Sequence, residues 1–162
     1  MAKITLETEI IAPIKVCFDL SRSIDLHKIS TAKTNEKAIA GKTSGLISLN
    51  EYVIWEAVHF EIKQRLTSKI TLFKKQFLFI DEQQKGAFKS FKHQHLFTQK
   101  DIIVIMRDVF EFESPLGIIG KVLNFLVLKS YMKKLLLQRN EVIKEYAETD
   151  KWKTVLNEKE YL

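Results

Sequence analysis

Five segments of period-two alternation, joined by connections of only a few residues, fill the middle of this chain and leave it few ways to fold. Residues 52–62, 64–73, 77–83, 88–97 and 102–113 alternate apolar and polar positions as half-buried strands do. The separators Lys74-Lys75-Gln76, Gln84-Lys85-Gly86 and Thr98-Gln99-Lys100-Asp101 are too short for a crossover helix. They make hairpins, so the strands form an antiparallel meander rather than βαβ units. Residues 3–11 read as one more strand, with Ile4, Leu6, Thr8 and Ile10 on one face. Pro13 then opens a short helix carrying Ile14, Cys17 and Phe18 to about residue 22, and Asp25 can cap a second starting at Leu26. A short strand over 36–40 ends at Gly41, and 41–45 is a loop. Beyond Ser114-Pro115-Leu116-Gly117 the period changes to that of a helix, predicted over 118–146 and extending to about Glu148. A helix of about 30 residues is roughly 45 Å long, and the only partner large enough to cover its apolar stripe is the sheet. The expected fold is therefore α+β: a curved antiparallel sheet of about seven strands wrapped on a long C-terminal helix, with two short helices after the first strand. Residues 1–148 form this domain around a ligand-sized cavity, and 149–162 are a polar tail.

Composition agrees with one domain. The 162 residues are 46% hydrophobic and 28% charged, with eleven Phe but only two Pro and five Gly, so a sizeable aromatic interior with few irregular loops is expected. The net charge of +6 raises the question of an acidic partner. The lysines are scattered, however, and the densest runs are Lys74-Lys75, Lys133-Lys134 and Lys151-Trp152-Lys153. They read as solvated surface, and no nucleic-acid partner is expected. The single cysteine, Cys17, sits between Val16 and Phe18 as a small hydrophobe and has no partner for an internal disulfide, which fits a reducing, cytoplasmic compartment. The first residues contain no apolar signal region, and the apolar stretch 116–128 is interrupted by Lys121 and Asn124, so neither secretion nor stable membrane insertion is expected.

The chemistry-bearing residues fall on strand faces. On 88–97, Phe91, His93, His95 and Phe97 share a face whose apolar ends assign it inward. On 102–113, Val104, Met106, Asp108, Phe110 and Phe112 share another. The short turn between these strands places Asp108 beside His93 or one pair away. An aspartate there would hold a histidine tautomer and raise its pKa, against burial, which lowers it. Trp55, Ala57 and His59 share a face on 52–62 and can join the same wall. On the long helix Gln138 and Arg139 are the deepest polar candidates, and Phe73, Phe77 and Phe79 read as core or cavity aromatics. The candidate ligand-binding residues are Trp55, His59, Phe91, His93, His95, Met106, Asp108, Phe110 and Arg139; no catalytic residue is assigned. His-x-His on one face is also a metal-ligand spacing, but no cysteine or further carboxylate completes a ligand set, so no metal and no cofactor is expected. Nucleophile elbow, phosphate loop and dinucleotide fingerprint are all missing; Gly41-Lys42-Thr43-Ser44-Gly45 has neither the upstream glycine nor the strand-to-helix setting.

The order strand, two short helices, six strands, long helix resembles the SRPBCC superfamily with its helix-grip fold, which holds START lipid-transfer, pollen-allergen-like and polyketide cyclase/dehydrase proteins. The resemblance is to a bacterial branch of unknown function. It rests on Ala12-Pro13-Ile14, Ile24-Asp25-Leu26-His27, 41–47, Trp55-Glu56-Ala57 with His59-Phe60, Phe91 with His93, His95 and Phe97, Met106-Arg107-Asp108-Val109-Phe110, and Ser114-Pro115-Leu116-Gly117. It spans residues 3–145. The sequence departs from the branch at Ser48-Leu49-Asn50, where a glycine is expected. What the resemblance implies is a small-molecule binding or carrier protein for a hydrophobic or amphipathic ligand. An enzyme of cyclase, dehydratase or hydrolase type, using His93 or His95 as acid/base with Asp108 as orienter, is the alternative from another class. The superfamily's range of carriers, sensors and enzymes means that fold alone does not choose between them.

Overall fold

The computed structural model describes residues 1–114 and 125–161. The strands are β1 (Ala2–Ile10), β2 (Lys37–Gly41), β3 (Tyr52–His59), β4 (Ile62–Lys74), β5 (Leu78–Lys85), β6 (Ser90–Lys100) and β7 (Ile103–Glu113). Two short helices, α1 (Ile14–Ser21) and α2 (Ile24–Ser30), follow β1, and α3 (Phe125–Glu148) follows β7. All seven strands lie in one antiparallel sheet in the order β1-β7-β6-β5-β4-β3-β2. The expected helix start at 118 lies outside the described residues; from Phe125 to Glu148 the helix is continuous.

Alternation decides what each strand buries. On β1 Ala2, Ile4, Leu6 and Ile10 are buried while Lys3, Thr5, Glu7 and Glu9 face water. The helix meets this inner face, and α1 and α2, through Leu128, Leu136, Ile143 and Ala147. Phe18 of α1 plugs one end of the sheet, making edge-on contacts with Phe73, Phe79 and Phe97 at 5.3–5.6 Å. A second aromatic cluster, Phe88, Phe91, Phe110 and Phe112, packs against Ala2, Ile4 and Leu6. Cys17 is buried, and burial pushes its thiol up to about 12, so it is no thiolate nucleophile near neutral pH.

Several local expectations change. The β3–β4 connection is a two-residue turn at Phe60 and Glu61, not at residue 63, and both residues have positive φ (52° and 64°). Such turns usually carry Asn-Gly, so this one left no mark in the sequence. The α2 cap is Ser23, whose hydroxyl accepts from the Leu26 amide; Asp25 instead accepts from the Gly45 amide (2.8 Å) and ties the 41–45 loop to α2. Gly41 is required there, because φ is +75° and an added Cβ would lie 2.3 Å from the Tyr52 carbonyl oxygen. In the loop that lacks the expected glycine, Asn50 adopts φ 67°, a conformation asparagine tolerates better than most residues. Phe77, expected inside, is 67% exposed. The segment read as a polar tail folds back: Leu156 is buried, and the Tyr161 hydroxyl donates to Asp19 (2.6 Å) on α1.

Candidate ligand cavity and its polar poles

A cavity of about 210 Å³ lies between the inner face of the sheet, α2 and α3. Its wall is mainly apolar, with Trp55, Leu66, Phe91, Phe110 and Leu136 among the lining side chains. The chain has four histidines and all four line this space. They fall into two polar groups.

The first group is built on β5, β6, β7 and α3. The register sets His95 opposite Asp108 and His93 opposite Phe110, because the β6–β7 turn consists of Asp101 and Ile102 alone. Asp108 is nevertheless shared. Its Oδ1 bonds His93 Nε2 at 2.8 Å and lies 3.1 Å from His95 Nδ1, its Oδ2 accepts from the Asn140 amide at 2.7 Å, and the Arg139 guanidinium approaches to 3.6 Å. His95 Nδ1, though close to that oxygen, is badly aligned and has no hydrogen bond among the described residues. On the other side of the imidazoles stands Asp81 of β5. Its Oδ1 is 3.0 Å from His95 Nε2 and 3.9 Å from His93 Nδ1. The two rings lie against each other with centroids 3.8 Å apart, and His95 stacks on Phe79.

Electrostatics follow from this packing. Burial alone would push the Asp108 carboxyl up, but the His93 hydrogen bond and the closeness of both imidazoles outweigh it and hold it well below the usual carboxylate range. Asp81 is likewise lowered: burial opposes, and the His95 hydrogen bond with the two imidazoles and Arg139 prevails. For His93 the balance tips the other way. Burial, then the neighbouring His95, push it down to about 4, against the pull of Asp108 and Asp81. Of the two opposing effects expected on Asp108's histidine partner, burial wins, because His93 is 6% exposed and loses more hydration than the two carboxylates return.

The second group sits on α2, β3 and α3. His59 does not join His93 and His95; its Nδ1 is 2.8 Å from the Tyr131 hydroxyl. His27 lies against Trp55 (ring centroids 4.3 Å) and 3.4 Å from Glu36. Burial would raise the Glu36 carboxyl, but His27 and His59 hold it low, while burial lowers His59.

Of the nine candidate residues, Trp55, His59, Phe91, His93, His95, Phe110 and Arg139 line the cavity. Two do not. Met106 is wholly buried in the core, where its sulfur takes the Ser21 hydroxyl (3.3 Å), and Asp108 lies beneath the histidines with no exposure. Arg139 is 7% exposed and donates to the Ser21 carbonyl oxygen (2.8 Å). Gln138 instead reaches out to the Ser30 carbonyl. Sequence reasoning missed Asp81, Asn140, Glu36 and Tyr131.

No protein-family model and no curated protein sequence matches the chain. Solved structures do. A START superfamily protein from Mycobacterium smegmatis superposes with a TM-score of 0.68 at 9% identity, over 90% of this chain and 97% of that one. TTHA0849 from Thermus thermophilus gives 0.67 at 16% identity (88% and 97%), and ginseng major latex-like protein 151 from Panax ginseng 0.63 at 16% (91% and 98%). The chain has the helix-grip fold. At 9–16% identity these likenesses show the fold alone, and no residue role carries across. Among the described residues no helix is long and apolar enough to cross a membrane.

Proposed function

We propose that this helix-grip protein binds or carries a small amphipathic molecule, its apolar body in the aromatic part of the cavity and its polar head at Arg139, His93 and His95. The observation that carries this reading is the union of an apolar wall with convergent, buried, hydrogen-bonded polar groups, the usual make-up of a small-molecule site. Arg139 offers donors to an acidic or hydroxylic head, and His93, whose Nε2 proton goes to Asp108, offers the Nδ1 lone pair to a hydroxyl. Asp108 and Asn140 supply its support, because they fix the rings and the guanidinium from behind. A cytoplasmic location belongs to the same proposal.

The alternative is an enzyme with His93 as acid/base and Asp108 as its orienter. The 2.8 Å bond between them favours it. A histidine held near 4 is a weak base at neutral pH, and this favours binding over proton transfer.

An apolar fluorescent dye is expected to bind once per chain with micromolar affinity, about −8 kcal/mol. Phe110→Trp, which puts a larger ring in the wall, should weaken binding several-fold, with circular dichroism showing that the variant stays folded at the assay temperature. Unchanged affinity would place the dye elsewhere and count against the cavity as the site.

A further inference from the structure

We infer that Asp81, His93 and His95 form a binding site for a divalent transition-metal ion at the polar pole of the cavity. Each of these residues offers one ligand atom, and the three atoms lie within 4.8 Å of one another. The orientation of the rings identifies the atoms. His93 uses Nε2 for Asp108, which leaves Nδ1 to face Asp81 Oδ1 at 3.9 Å; His95 turns Nε2 to the same oxygen at 3.0 Å. Ligand atoms around a four-coordinate zinc ion, at about 2.0–2.2 Å from the metal, stand roughly 3.4 Å apart, and the two distances bracket that value.

The outer side of the site is built as well. With its Nε2 proton donated to Asp108, His93 presents a bare nitrogen lone pair toward a carboxylate oxygen, two acceptors facing each other. A cation between them converts that repulsion into two bonds. If His95 ligates through Nε2, its proton resides on Nδ1, 3.1 Å from Asp108 Oδ1 and without another partner among the described residues. Asp108 thus backs His93 in the carboxylate–histidine–metal arrangement that fixes tautomer and ring orientation, and stands beside His95 Nδ1 without a well-aligned hydrogen bond. It is itself held by Asn140 and Arg139. Two carboxylates and one guanidinium give the group a formal charge of −1 with both rings neutral, which favours a dication.

Two imidazoles and one carboxylate leave coordination positions open, and the three ligand residues line the cavity. Such sets suit Zn²⁺ or Fe²⁺ and leave room for a water or a ligand oxygen. The site does not depend on the identity of any organic ligand, since the metal alone reads it.

The test is calorimetric titration of chelator-treated full-length protein with Zn²⁺, and Co²⁺ titration followed by its visible d–d absorption. One ion per chain is expected, with Kd of about 1 μM or tighter. Asp81→Asn, a near-isosteric change at a part-exposed position, and His95→Gln should each weaken binding at least tenfold. His59→Gln should leave it unchanged. Circular dichroism and melting curves keep loss of the site apart from loss of the fold. Absence of saturable binding to folded protein, or binding that survives both Asp81→Asn and His95→Gln, overturns the proposal.

Discussion

Asp108→Ala is expected to destabilise the protein by about 3–5 kcal/mol in urea unfolding, the largest effect of any single substitution in the polar pole. The size follows from what remains behind. Asp108 has no exposure, and four groups converge on it: His93, His95, Asn140 and Arg139. Removing the carboxylate leaves a guanidinium 7% exposed with one carboxylate fewer, a buried His93 donor without its acceptor, and an Asn140 amide that keeps only the Thr8 hydroxyl (3.3 Å) of its two acceptors. Each orphaned donor costs about 1–3 kcal/mol. Asp108→Asn keeps an oxygen for His93 and loses mainly the charge, so it should cost roughly half as much. A loss below about 1 kcal/mol for the alanine variant would mean that water replaces the carboxylate freely, and that this pole is neither dry nor rigid.

Acid should weaken the metal-free fold earlier than carboxylate protonation explains. His93 has a folded-state pKa of about 4, against 6.5 for the free side chain. As pH falls below 6.5 the unfolded chain takes up a proton that the folded chain refuses, so stability declines between 6.5 and 4 and levels off below. The full span corresponds to about 3 kcal/mol, an order-of-magnitude figure. The charged and titratable groups facing the ring are His95, Asp81, Asp108 and Arg139. Asp81 and Asp108 are shifted downward, so their stabilisation is lost only below the ordinary carboxylate range, in a separate window. His59, also lowered, adds to the decline in the same direction, which makes the comparison with His93→Gln the informative one. Urea midpoints at pH 7 and pH 4.5 should fall further in the wild type than in that variant. Parallel profiles would show that His93 is not held neutral by burial.

Most of the fold was legible because short hairpins and a change of period from two to 3.6 admit one arrangement of layers. The site was legible only where alternation runs clean. On β6 and β7 it does, and His93, His95 and Asp108 could be put on one inner surface before their pairing was known. On β5 Phe79 and Ile80 are both buried, and the register against β4 slips between Ile70 and Leu72. The face of Asp81 was therefore hidden, and with it the carboxylate opposite His93. Asn140 did leave a signal. It stands at helical spacing with Leu136, Ile143 and Ala147, a polar residue inside an apolar stripe. Glu36 and Tyr131 reach His27 and His59 only through the packing of α2 and α3 over β3, which no local pattern encodes. Met106 shares the face of Asp108 and Phe110 yet misses the cavity, because Ser21 and the α1 core close over that end of β7.

In the function proposed above, one cavity takes an apolar body and a polar head together, the head at the His93–His95–Arg139 pole. Histidine ring proton resonances report this directly, since the chain has four histidines and mutation of each assigns them. Saturating the metal-free protein with an apolar dye that bears one sulfonate should shift the His93 and His95 signals in step with the fluorescence titration, and Arg139→Gln should weaken binding about tenfold or more. Dye saturation with the His93 and His95 resonances unmoved, or full affinity in Arg139→Gln, would contradict it.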